Sequence, residues 1–123
     1  MTAPTSIQNY IAGAAIAQYV FVQFDSADHT VIQAAAADDL IIGISNILGA
    51  AAATDRVDVI KAGRAKLKLA GTVTRGAFIT SDTIGEGVAA AAGEQYGAIA
   101  EQSGVDGDII EVTIAFGMVD SDT

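Results

Sequence analysis

The chain has 123 residues, 25 of them alanine and 13 glycine, and its larger apolar residues are mostly β-branched, 15 Ile and 10 Val against 4 Leu, which excludes a leucine-rich helical bundle and favours pleated sheets. A formal net charge of −9 disfavours binding to nucleic acid or to an anionic membrane surface through bulk electrostatics. With no cysteine and a single histidine, His29, a disulfide framework, a thiolate nucleophile and a metal site built on paired imidazoles are excluded, and an apolar share of 51% excludes a disordered chain.

In chain order, the first 24 residues carry no charge. No Lys or Arg precedes the apolar run 10–17, so the basic start of a secretory signal is missing. Gln8, Asn9, Gln18 and Gln23 interrupt the stretch well short of the ~20 apolar residues that a spanning helix needs. Residues 1–15 are therefore expected to be an N-terminal arm that packs against another surface, because Ile7, Tyr10 and Ile11 would otherwise sit in water. Residues 16–123 are expected to form a single β domain.

That domain opens on a β-branched and aromatic strand over 16–24, followed by the turn Asp25-Ser26-Ala27-Asp28. Short strands are expected at 30–34 and 40–45, separated by an alanine run and Asp38-Asp39, with at most one short helix around 47–53. The clearest alternation lies at 56–60 and 64–70, where Arg64, Lys66 and Lys68 point one way and Ala65, Leu67 and Leu69 the other. Strands at 77–80, 87–91, 96–100 and 108–115 complete the set. The alanine runs are too short to nucleate helices. Short strands with closely spaced turns predict an all-β chain, mainly β with at most that one helix, folded as a compact barrel or sandwich. A weak internal echo predicts two pseudo-repeated halves, about 16–63 and 73–117. Phe21 and Asp25 recur as Phe78 and Asp82 at an offset of 57, and 57–60 matches 110–113 at an offset of 53.

Charge is segregated along the chain. All six basic residues fall within 56–75, which carries +5, whereas 1–55 carries −5 and 76–123 carries −9. Arg64, Lys66 and Lys68 are a candidate contact strip for an acidic surface of a neighbouring protomer or another partner. Neutralisation by acidic neighbours in the same chain is the other reading.

Nothing resembles catalytic machinery. Asp25 to His29 lacks the spaced ligands and closing Glu of a calcium loop, and it reads, like Asp106-Gly107-Asp108, as a turn whose carboxylates accept local amides. Gly85-Glu86-Gly87 lacks the third glycine of a dinucleotide fingerprint, and no phosphate loop is present. Ser45, Ser81 and Ser103 stand outside any nucleophile elbow. The expectation is a non-enzyme with no cofactor and no metal.

The second half carries a resemblance. Gly71-Thr-Val-Thr-Arg75-Gly76-Ala-Phe-Ile-Thr-Ser-Asp82, then Gly87-Val88 with its alanines to Gly93, Tyr96-Gly97-Ala-Ile-Ala-Glu101 and Gly107-Asp108-Ile109-Ile110-Glu111-Val112, resembles the tailed-bacteriophage head decoration (capsid cement) proteins over about half the chain. The resemblance implies a small acidic β-protein, usually a homotrimer, made in the host cytoplasm and placed on the outer capsid surface of the virion. There it staples neighbouring copies of the major capsid protein and stabilises the head, without contacting nucleic acid or membrane. On that reading the 1–15 arm orders on docking and the 64–68 strip meets the shell or the adjacent protomer. A tail, baseplate or minor shell β-module is the alternative, and a small ligand-binding barrel is disfavoured by the supply of only 7 aromatic residues.

Overall fold

The two alternating stretches on either side of Gly63 are one strand. A computed structural model of the protein describes residues 4–36, 40–46 and 48–119. Among the described residues it has nine strands and no helix: β1 (Pro4–Ala12), β2 (Phe21–Phe24), β3 (Thr30–Gln33), β4 (Ile41–Ser45), β5 (Arg56–Lys68), β6 (Phe78–Ser81), β7 (Gly87–Ala89), β8 (Gln95–Ala100) and β9 (Ile109–Met118). The chain is all-β, as its β-branched composition predicts. Along β5, Val57, Val59, Ala65 and Leu67 are buried while Asp58, Arg64 and Lys66 are exposed. Gly63, at a left-handed φ of 85°, joins the two stretches.

The first half of β5 closes a five-stranded barrel. It pairs antiparallel with β4 on one side and with β1 on the other; β4 pairs with β2, β2 with β3, and β3 returns to β1 in parallel. Tyr10, Ala12, Val20, Val22, Val31, Val57 and Val59 fill this barrel. The second half of β5 pairs with β9, and the sheet continues through β8 and β6 to β7, which a parallel bridge between Gly87 and Leu69 ties back to the end of β5. The core of this second unit is Leu67, Leu69, Ile79, Ala98, Ile110 and Val112, and it is continuous with Phe21, Ala34, Ile41, Ile44 and Ile60 of the first.

The same connections recur in both units. Strand order is β1, β3, β2, β4, β5 in one and β5, β7, β6, β8, β9 in the other. The bridge between Ile16 and Ala50 has its counterpart between Val73 and Gly104. The Ala34 amide donates to the Phe21 carbonyl and the Ala90 amide to that of Phe78, both at 2.9 Å. Likewise Thr54 donates to Ala12 and Gly107 to Leu69, both at 2.8 Å. Asp55 accepts the Ala52 amide at 3.1 Å, and Asp108 accepts that of Val105 at 3.0 Å.

Two local expectations change. Residues 4–12 of the expected arm are β1, paired with β5 from Pro4 to Ile11; residues 1–3 lie outside the described residues. The physical reason is that Tyr10 and Ala12 face the first core, and β1 covers an edge of β5 that would otherwise be open. Of the strand expected over 16–24, only the last four residues are strand, because Tyr19 takes a left-handed φ of 60° and Ile16 makes a separate bridge. Residues 48–53, where at most one short helix was expected, form turns and bends around the Ala50 bridge; Ile47 and Asp38-Asp39 lie outside the described residues.

Candidate functional site

The residues singled out in the sequence come together as two rows on two equivalent strands. β1 presents Ile7, Asn9 and Ile11 away from the first core, opposite Ile60, Asp58 and Arg56 of β5. β5 presents Arg64, Lys66 and Lys68 away from the second core, opposite Thr113, Glu111 and Ile109 of β9. Tyr10 paired with Val57 corresponds to Leu67 paired with Ile110, so Ile7, Asn9 and Ile11 occupy the positions of Arg64, Lys66 and Lys68.

Ile7 is 45% exposed and Ile11 half-buried, whereas Tyr10 is only 8% exposed. Tyr10 therefore belongs to the barrel interior and is not offered to a partner. Its hydroxyl accepts a hydrogen bond from Lys61 Nζ at 2.9 Å, and that ammonium lies 5.6 Å from the ring centroid. Phe24 meets the same ring edge-on at 6.1 Å. In the apolar row, Asn9 Nδ2 donates to Asp58 Oδ1 at 3.0 Å.

The basic row is partly neutralised within the chain. Lys68 Nζ stands 3.5 Å from Glu86 of the β6–β7 hairpin, and Lys66 lies across from Glu111. Lys66 and Arg64 remain exposed to solvent. Lys68 at one end of the row is thus paired within the chain. Surface pairs contribute about 0–1 kcal/mol each.

The acidic turns act as turns. Asp25 Oδ1 accepts the Ser26 amide at 2.8 Å, and Asp82 Oδ1 accepts those of Ile84 and Glu86 at 2.9 Å. Asp25, Asp28 and His29 border a cleft of about 510 Å³ floored by Tyr10 and Phe24. Among the described residues no group of three His, Asp or Glu side chains is arranged to hold a metal.

One surface was not anticipated from the sequence. Leu40 and Ile41 of the first unit and Gln95, Tyr96, Phe116, Gly117 and Met118 of the second line a groove of about 360 Å³. Phe78 extends it by stacking on Tyr96 at 4.4 Å with a 31° tilt. The signal lay in the run 114–118, where the apolar pattern continues past the last expected strand residue, Ala115.

Compared with solved structures, the chain is similar to the head fiber gp8.5 N base of bacteriophage phi29, with a TM-score of 0.71 over 89% of this chain and 93% of that one. The two share a fold. Their sequences are 12% identical. No protein-family model and no curated protein sequence matches the chain.

Proposed function

We propose that this chain is a structural virion protein of a tailed bacteriophage that binds the outer capsid surface and stabilises the head by bridging neighbouring major capsid proteins. The observation that carries this reading is a fold likeness that spans nearly all of both chains, to a protein of a phage head. The resemblance of residues 71–112 to capsid cement proteins supports it independently. The architecture suits a bridging role, because two units share one strand, so their outward rows keep a fixed spacing and binding costs little ordering entropy. The partners are the major capsid protein and other copies of the chain, as a homotrimer, with no nucleic acid, membrane, cofactor or catalytic chemistry involved.

The capsid contact is assigned to exposed Ile7 and half-buried Ile11 on β1 and to exposed Arg64 and Lys66 on β5. Cosedimentation of the purified protein with expanded capsids that lack it tests the reading. Wild type should pellet with heads, and Ile7→Asp and Lys66→Glu should each weaken binding while leaving the fold intact. Deleting β1 is not a clean test, because it removes a barrel strand. Binding to tails but not heads would sink the proposal in favour of a tail or baseplate module.

A further inference from the structure

β9 loses its neighbour on one side half-way along. From Ile109 to Thr113 it pairs with β5, and from Val112 to Met118 with β8. The β8 ladder shifts register between Tyr96 and Ala98, which puts one extra residue on β9 between Ile114 and Gly117 and bends it out of the course of β5. At the point where β9 leaves, next to Arg64, β5 takes Pro4 of β1 opposite Gly63. On the side away from β8, residues 114–118 therefore meet no strand among the described residues.

The first unit shows what such an edge takes. With Val57 equivalent to Ile110, residues 114–118 of β9 stand where 61–65 stand in β5. There Gly63 pairs with Pro4, and Arg64 and Ala65 pair with Thr113 and Val112, each partner strand running antiparallel. The end of β9 lacks that neighbour among the described residues, and its sequence does not guard it. Open edges are commonly blunted by charge or proline, and residues 112–119 hold neither. Phe116 is 49% and Met118 62% exposed, so the edge offers apolar side chains as well as the backbone groups of an unpaired strand.

We infer that residues 114–118 of β9 pair antiparallel with the same residues of a second copy of this chain, about a twofold axis. A strand paired antiparallel with its own copy is self-complementary, as an isologous contact requires, and main-chain hydrogen bonds supply the attachment. Between chains of net charge −9, the uncharged run 112–119 lets two copies meet without opposing like charges at the contact. Phe116 and Met118 of one copy then lie against those of the other as cross-strand neighbours. The contact uses none of Ile7, Ile11, Arg64 and Lys66, so it leaves both outward rows free.

The test needs no capsid, so its outcome is separate from that of the capsid reading. Phe116→Lys with Met118→Lys, and Phe116→Glu with Met118→Glu, charge the edge; both residues are exposed, and circular dichroism checks the fold. By light scattering at one concentration, wild type should have at least twice the mass of either double variant. An equimolar mixture of the two variants should regain the wild-type mass, because unlike charges then face each other across the axis. Equal masses for wild type and variants overturn the inference, whether the wild type is a monomer or an assembly held together elsewhere. A mixture that stays at the variants' mass overturns the strand-to-strand pairing. Hydrogen exchange on the wild type alone needs no variant: across the dilution range in which light scattering shows dissociation, exchange over 114–118 should speed up, and exchange there that ignores dissociation overturns the inference as well.

Discussion

Thr54 and Gly107 occupy the same turn of the two units, donating their amides to the equivalent carbonyls of Ala12 and Leu69, yet only one of them suits the backbone there. Thr54 has a φ of 74° and Gly107 of 90°. A β-branched residue in the left-handed region brings its side chain against its own carbonyl, at a cost of roughly 1–2 kcal/mol. Glycine removes that strain and gives back part of the gain as backbone entropy in the unfolded chain. Thr54→Gly should therefore raise stability by about 1 kcal/mol, read as a higher urea midpoint at an unchanged slope. Tyr19, with a φ of 60°, is the first-unit equivalent of Gly76, with a φ of 88°. Neither conformation is written in a Thr or a Tyr, which is why a strand was expected to run straight through Tyr19.

β5 decides how the molecule behaves as an assembly of elements. Its first half contributes Val57 and Val59 to one core and its second half Ala65 and Leu67 to the other, and its pairing passes from β1 at Gly63 to β9 at Arg64. Leu67 is completely buried. Leu67→Ala leaves a cavity and should cost about 2–5 kcal/mol. Because the strand is shared and the cores are continuous, the loss should appear in both units: hydrogen exchange at the amides of Val59 and Val112 should accelerate together. Acceleration at Val112 alone would mean that the units open independently. The second-half strands were legible because alternation, β-branching and glycine-bearing turns all agree there, and β5 was legible as two pieces because Lys61-Ala62-Gly63 interrupts its pattern. β1 was not, since Ser6, Gln8 and Asn9 read as a polar arm and the pairing that makes it a strand comes from residues some fifty positions later. The two contact rows were readable as residue types, while their equivalence depends on register that only the fold supplies.

At the scale of the whole molecule, the alanine and glycine surplus finds a use within one chain. Gly85 and Gly97 set the approach of the two units, and Ala34, Ala65 and Ala98 fill their shared core with no exposure. Larger residues at these points would force the units apart. Gly97→Val should therefore destabilise the fold by about 1–3 kcal/mol, as overpacking in a closed core does, visible as a lowered melting temperature.

The proposed capsid contact carries a definite response to salt. On that proposal exposed Arg64 and Lys66 of β5 attract an acidic surface of the shell, and dissolved ions screen the attraction. Between about 0.01 M and 0.15 M salt the screening length falls from about 30 Å to about 8 Å, enough to silence charges on opposite sides of a small domain while leaving direct contacts in place. Over that range capsid cosedimentation should weaken. Lys66→Glu should flatten the salt dependence of capsid binding. Capsid binding that ignores salt in the wild type would remove the basic row from the contact and leave it to Ile7 and Ile11.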